Sequence, residues 1–263
     1  MKTFENIHEA YLKVLYDIYE NYDYRTNPRG MYVREKLDYT FKITNPIAES
    51  IRTADNARNS IIDSYTKKEI ALYNSCSRDV EDFAKASSFW RKIANPDGTV
   101  NSAYGFLIWA NKSHGNGTYE ATNIQFDNLN GQGPKTLVEP IMRTPWDWAK
   151  ESLIADENTR QAILRFSLPE HAWKGVKDFT CTMHGIFLIR DNKLHFSVNM
   201  RSNDLVLGLV YDMPWFISLI DKMIEELKPY YPNLEKGHYT HSVHSLHIYE
   251  RNKDVVERML GID

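Results

Sequence analysis

Apolar residues Phe4, Ile7, Tyr11, Val14, Leu15, Ile18 and Tyr22 recur three or four positions apart. That is the period of an α-helix packed by one face. Residues 23–32, DYRTNPRGMY, interrupt the period with Asn, Pro and Gly, so a loop is expected there. Leu37, Tyr39, Phe41 and Ile43 then alternate with polar residues, which predicts a strand with one buried face, stopped by Pro46. Residues 67–93 read as helix with a break near Asn74–Ser77. Gly and Asn crowd residues 110–136, which predicts a long functional loop or irregular strands. Helical patterning returns over 145–155, and a short strand is expected over Ala162–Leu168. The clearest hairpin joins residues 179–190 to 194–201 through Asp191-Asn192. A helix over 213–228 is expected to start near Pro214 and end before Pro229, and a last strand carries Ser245–Tyr249.

Helices and hairpin-linked strands are mixed without βαβ alternation. This favours an α+β fold with a large mixed or mainly antiparallel sheet flanked by helices. The 263 residues fit one domain spanning 1–263, with neither an internal repeat nor a low-complexity segment. A net charge of −3 argues against a general nucleic-acid or anionic-membrane binder. A small anionic substrate remains open, because it needs only a few well-placed arginines. The N-terminal stretch carries Glu and Asp among its apolar residues, unlike a signal peptide. No stretch approaches the ~18 apolar residues of a membrane span. Cys76 and Cys181 lie far apart and outside any CxxC or Cys/His zinc pattern, which suits a reducing, cytoplasmic compartment.

Cys181 lies in DFTCTMHGIFLIR at the start of a predicted strand. With a two-residue turn at Asp191-Asn192, Cys181 faces Ser202 and Thr182 faces Arg201; a bulge would shift this by one position. Either register puts a guanidinium beside a thiol, and nearby positive charge stabilises the reactive thiolate. A lone strand cysteine is otherwise an inert buried hydrophobe. His241, His244 and His247 are spaced three apart and suggest a metal site. On a strand, however, positions three apart point to opposite faces, so no metal is expected.

The stretch NMRSNDLVLGLVYDMPWF, Asn199 to Phe216, changes the weight of Cys181. Its Arg-Ser-x-Asp, later Gly and polar Asp212 resemble the most recognisable block of the thymidylate synthase / deoxycytidylate hydroxymethylase family. Cys181 precedes Arg201 by twenty residues and Asp212 by thirty-one, both as in that family. Other residues fall in the family's order. Glu69 resembles the glutamate that organises water and proton transfer, and Tyr104 the tyrosine of the active-site wall. Arg160 resembles a phosphate-binding arginine that reaches across from the other subunit, which implies a homodimer with shared sites and the sheet at its interface. His247 and Tyr249 resemble the pair at the sugar hydroxyl. Asp204 and Trp90 match residues at the folate. Arg29 resembles the arginine of a mobile phosphate loop, with Arg25 as its rival.

The resemblance implies covalent catalysis on a pyrimidine nucleotide. Cys181 adds to C6 of the ring, and C5 then attacks the one-carbon unit of 5,10-methylenetetrahydrofolate. Glu69 relays protons, while Arg29, Arg160, Arg201 and Ser202 hold the phosphate. Water added at the resulting exocyclic methylene gives hydroxymethyl; hydride gives methyl.

Asp212 stands where thymidylate synthases usually carry Asn. A carboxyl can accept from the C4 amino group of cytosine and share a proton with N3, which favours dCMP, or alternatively CMP, over dUMP. Asp212 also precedes Met213-Pro214, where Asp is a favoured helix N-cap. Three features depart from the commoner thymidylate synthase pattern. Gln161 replaces a second arginine, Thr182 follows the cysteine in place of His, and only fourteen residues follow Tyr249.

The leading expectation is a dCMP 5-hydroxymethylase, encoded by a bacterial virus and acting in the cytoplasm of the infected cell. A methyl-forming dCMP or dUMP synthase and a catalytically silent nucleotide-binding relative are the alternatives.

Overall fold

The computed structural model describes residues 1–112, 117–119 and 140–262. Most of the loop expected over 110–136 therefore lies outside the described residues.

Strand β1 (Lys2–Phe4) leads into helix α1 (Ile7–Asn21). Asn6 caps α1, its side-chain oxygen accepting from the amides of His8 and Glu9. The predicted face is buried through Ile7, Tyr11, Val14, Leu15 and Ile18. Phe4 belongs to β1 instead, and Tyr19 rather than Tyr22 completes the buried stripe.

The predicted loop at 23–32 contains a short strand, β2 (Tyr24–Thr26), paired antiparallel with β3 (Val33–Ile43). In β3, Tyr39, Phe41 and Ile43 are buried as expected, but Leu37 is 50% exposed. Its neighbour Asp38 has φ 49° and interrupts the regular pleat.

Helix α2 (Asn56–Asn74) begins a full three turns before the expected start. The predicted break is present, and α3 (Val80–Ala86) and α4 (Trp90–Ile93) follow it. Strands β4 (Gly117–Tyr119) and β5 (Pro140–Met142) pair with each other. Helix α5 (Pro145–Ala155) matches its expectation, while β6 (Ile163–Arg165) is shorter than expected.

The hairpin is β7 (Thr182–Arg190) and β8 (Lys193–Met200). Asp191 and Asn192 have φ of 51° and 57°, the left-handed pair that a tight hairpin turn requires. Pairing runs in the two-residue-turn register from Arg190↔Lys193 to His184↔Asn199, then shifts to Thr182↔Met200. The bulge alternative therefore applies, and Arg201, not Ser202, lies opposite Cys181, whose carbonyl accepts from the Arg201 amide at 2.9 Å.

After β9 (Asn203–Asp204), a π-helical turn at Leu205–Leu209 runs into α6 (Val210–Leu227). Here the sequence reading needs correction. Pro214 lies inside α6, not at its start, so Asp212 is not an N-cap. The cap is Asp204, whose Oδ1 accepts from the amides of Val206 (2.8 Å) and Leu207. The last strand, β10 (Glu235–Tyr249), starts ten residues earlier than expected, and α7 (Lys253–Leu260) closes the described chain.

Among the described residues the main sheet has eight strands, ordered β1-β3-β10-β8-β7-β6, with β2 on β3 and β9 on β10. It mixes parallel pairs (β1–β3, β8–β10, β9–β10) with antiparallel ones. Alternate residues of each central strand, such as Phe187, Phe196, Val198, Tyr239 and Phe41, are buried beneath α1, α5 and α6. The arrangement is α+β, as the sequence implied.

Candidate active site

Two helices form one wall. Tyr65, Glu69 and Tyr73 lie four apart on α2 and so share a face. That face meets α6, with the Tyr65 ring 4.6 Å from Tyr211 and Tyr73 4.8 Å from Trp215. Each such aromatic pair contributes about 0.5–1.5 kcal/mol beyond its burial. Glu69 lies between the two tyrosines on α2, and Asp212 lies in the first turn of α6. Burial and the negative charge of Asp212 push the Glu69 carboxyl up to about 8, against hydrogen bonds from Tyr65 and Tyr73. Tyr65 is also bonded to the Trp90 side chain, which ties α4 to the same group.

Tyr104 is buried and stacks on Tyr73 and Trp215 at 5.4 and 5.6 Å. Its position depends on Gly105, where a Cβ would fall 1.7 Å from the Tyr73 carbonyl oxygen, so only glycine admits this approach to α2. Asp178 ties the same segment to the chain before β7 by accepting from the Ser102 amide and hydroxyl. The Tyr104 hydroxyl in turn accepts from the Thr182 amide at 3.4 Å, one residue from Cys181.

Cys181 is half-buried, and its sulfur lies 3.5 Å from Nη2 of Arg201. That guanidinium is held in place by the carbonyls of Phe179 and Thr180 and lies over the Phe179 ring. The sequence expectation of a stabilised thiolate is corrected in its balance. Arg201 does pull the thiol's pKa down, but burial raises it more, and Asp212 and Asp178 add to the rise. The balance at Cys181 thus favours the thiol over the thiolate.

Arg29 lies in a 3₁₀ turn with φ 53° and acts electrostatically on both Cys181 and Tyr249. Its rival Arg25 is engaged elsewhere, in a two-pronged pair with Glu250 at 2.7 and 2.9 Å. Ser202 is half-buried next to Arg201. His247 is buried, edge-on to Tyr249 at 5.3 Å, and its field opposes the burial that raises Asp204.

The described fold thus gathers Cys181, Arg201, Tyr104, Asp212, Glu69, Arg29, Tyr249, His247, Asp204 and Trp90 around one region. Arg160 is not among them. It is exposed, between α5 and β6, and is absent from the charges acting on Cys181.

The histidine triplet disperses as strand geometry requires. His244 is exposed and pairs with Asp38 at 2.7 Å, whereas His241 is buried against Tyr239. Among the described residues no group of three His, Cys, Asp or Glu is placed to hold a metal ion.

Sequence reasoning missed Tyr65, Tyr73, Asp178 and Asn203. The four-residue spacing around Glu69 signalled the first two. Asn203 stood inside the motif itself, and Asp178 carried no local signal.

Burial raises the Asp212 carboxyl to about 6, with Asn203 donating a hydrogen bond that lowers it and Asp204 raising it. Between its ordinary value and its raised one, about 6 for Asp212 and about 8 for Glu69, each carboxyl keeps a proton in the folded chain that the unfolded chain has lost. Glu69 favours folding fully below its ordinary 4.5, and that contribution disappears as pH rises through about 8. The midpoint of thermal unfolding should fall across this window, by about 2–4 °C for each kcal/mol. Glu69→Gln should flatten the decline and melt higher than the parent at pH 8. An unchanged slope in that variant would refute the assignment.

The thymidylate synthase family model matches residues 9–261. The deoxycytidylate 5-hydroxymethyltransferases of Enterobacteria phages T6 and T4 are 27% identical over 202 residues, covering 74% of this chain and 70% of theirs. The thymidylate synthase of Bacillus atrophaeus is 24% identical over 189 residues, covering 72% of this chain and 70% of its own. The fold is shared with thermostable thymidylate synthase A from Bacillus subtilis, with a TM-score of 0.65 at 20% identity over 97% of this chain and 84% of that one. With the match running almost from end to end, on a fold that gathers the expected residues, the chain belongs to the thymidylate synthase family.

Proposed function

We propose that this one-carbon transferase acts on dCMP and releases 5-hydroxymethyl-dCMP. The observation that carries the reading is Asp212, a carboxyl rather than an amide, set among Glu69, Tyr104 and Cys181 and held near 6 by burial. Such a group is poised at neutral pH to carry or give up a proton. It can accept from the C4 amino group while sharing a proton with N3, and protonation there draws electrons from C6. The phage relatives, named as deoxycytidylate 5-hydroxymethyltransferases, support the same choice.

The residues fit a folate co-substrate. Oδ2 of Asp204 is buried without a hydrogen-bond partner, beside His247, and is open to a donor from a bound ring. When bound, methylenetetrahydrofolate supplies the one-carbon electrophile. Asp204 and Trp90 hold it. Cys181 loses its proton and adds to C6, with Arg201 offsetting the thiolate charge. Glu69, protonated at rest, moves protons through water. Arg29, Arg201, Ser202 and the partner subunit's Arg160 hold the phosphate, and His247 with Tyr249 holds the sugar. CMP is the alternative substrate, since neither sugar contact distinguishes the two by residue type.

A homodimer follows from the same reading. The helices cover one face of the sheet, and the other carries half-buried Thr40, His195, Ser197, Thr240 and Ser242 with no described helix over it. If sites are shared, inactive Cys181→Ala and Arg160→Ala chains should complement when refolded together. Random pairing restores about a quarter of the sites, the one intact site in each mixed dimer. No recovery would exclude a shared site. No described helix is long and apolar enough to cross a membrane. We place the enzyme in the cytoplasm of a bacterium infected by the virus that encodes it, in keeping with its phage relatives.

The deciding experiment incubates the protein with methylenetetrahydrofolate and dCMP, CMP or dUMP separately and weighs the products. Addition of a hydroxymethyl group to dCMP is expected. Addition of methyl identifies a methyl-forming synthase instead, and turnover of dUMP in preference to dCMP would sink the cytosine reading.

A further inference from the structure

We infer that Arg25 and Glu250 form a clamp that holds the loop bearing Arg29, which makes both of them positioning residues for the nucleotide phosphate. The inference rests on the reading of Arg29 as a phosphate ligand. Arg29 is exposed and sits in the short turn Pro28–Gly30 with φ 53° and ψ 31°. The next residue, Gly30, has φ 78°. Glycine adopts such a left-handed backbone readily, but an arginine does so only where its surroundings hold it there. Within the turn, the Met31 amide donates to the Pro28 carbonyl at 3.1 Å. The other restraints come from its flanks.

On one flank, β2 pairs with β3, with Thr26 opposite Val33 and Arg25 opposite Arg34. Like charges directly opposite weaken a strand pair, so β2 needs a counter-charge at this point. Glu250 supplies it. Its two oxygens accept from Nε and Nη2 of Arg25 at 2.7 and 2.9 Å, and it lines one cavity together with Arg34. On the other flank, the Glu250 amide donates to the Tyr32 carbonyl at 3.0 Å, and Nη1 of Arg251 lies 3.2 Å from the Met31 sulfur. The Arg25 guanidinium lies over the Tyr32 ring, 4.0 Å from its centroid. Arg25 before the turn and Tyr32 after it are thereby both fastened to Glu250.

An isolated exposed ion pair contributes little, and the bland role for this one is a solvated surface contact. Three features set it apart. The carboxylate is bound by a guanidinium fork, which fixes direction as well as distance. The cation stacks on an aromatic face, which restricts a long side chain. The backbone of the same Glu250 bonds the far side of the turn, so the contacts encircle it. They also tie the turn to the residue that follows Tyr249. Two arginines four residues apart thus divide the work: Arg29 meets the phosphate, and Arg25 fixes where Arg29 stands. Opening the clamp leaves the chemistry at Cys181 untouched and weakens only the hold on the phosphate. The loss is one of uniform binding, so KM rises while kcat at saturating substrate stays.

The test measures KM and kcat for the nucleotide that is turned over, dCMP on the present reading, at saturating methylenetetrahydrofolate. Glu250→Gln and Arg25→Gln should each raise KM about three- to tenfold, with kcat within about twofold of the parent. The double variant should match the single ones, because the two side chains act as one unit. Arg29→Ala should raise KM at least as far. Adding Glu250→Gln to it should change KM by less than about twofold, because the clamp acts through Arg29. A purely structural pair would lower kcat along with affinity and would add to Arg29→Ala in full. Either result, or an unchanged KM in either single variant, overturns the inference. If Glu250→Gln fails to fold, Arg25→Gln, alone and in the Arg29→Ala background, decides by the same readout. If Arg29→Ala itself leaves KM unchanged, the phosphate role of Arg29 is lost and the clamp with it; if Arg29→Ala raises KM while the clamp variants do not, only the clamp is lost.

Discussion

Cys181→Ser is expected to reduce turnover by about 10⁴-fold or more, the scale on which removal of a covalent nucleophile acts, while nucleotide binding is retained. The serine oxygen is smaller and keeps the hydrogen-bond geometry to Arg201, so the phosphate contacts proposed for Arg201, Ser202 and Arg29 survive. What is lost is ionisation. Burial already raises the pKa of the thiol there, with Arg201 as the largest opposing influence. A hydroxyl, intrinsically far less acidic, has no route to its anion there. Nucleotide affinity by calorimetry and single-turnover product formation separate the two effects. Full activity in Cys181→Ser would remove the nucleophile assignment altogether. The elevated thiol also implies that bound nucleotide and co-substrate must shift this balance before attack, so alkylation of Cys181 by a neutral reagent should be slow in the free protein.

Asp212→Asn is expected to reverse the base preference, costing dCMP turnover and admitting dUMP, with the ratio moving by up to about 10⁴-fold. The amide accepts from N3–H and donates to O4, and offers cytosine N3 no proton. The substitution also removes a negative charge that acts on its neighbours. Glu69, Tyr104 and Cys181 are all held upward in part by Asp212. The pH dependence of the remaining activity should therefore move to lower pH, a change that a simple loss of fit would not produce. Parallel loss of both substrates, with no shift in the pH profile, would count against base reading by this carboxyl.

Several elements were legible along the chain because their signals are local. The stripe of α1 from Ile7 to Ile18 obeys the helical period, and the Asp191-Asn192 hairpin has residues that tolerate left-handed φ. The boundaries failed where local signals compete. Pro214 signals a helix start by residue type, but it lies inside α6, downstream of the Leu205–Leu209 turn that begins the helical run. Asp212 and Asp204 are both plausible caps by residue type, and only the actual path of the backbone assigns the cap to Asp204.

By itself, the sequence determined the α+β class, the hairpin that bears Cys181, and the spacing from Cys181 to Arg201 and Asp212 that marks the family, because period, turn chemistry and motif spacing are properties of neighbouring residues. Tertiary structure alone decided that Arg201 faces Cys181 across a bulge, that Glu69 meets Asp212 between two helices, that Arg25 is spent on Glu250 while Arg29 acts on Cys181, and that Asn203 joins His241. These depend on pairing between strands and helices distant in the chain. The protonation balance of Cys181, Glu69 and Asp212 belongs to the same category, since burial dominates each shift and burial exists only once the chain has folded.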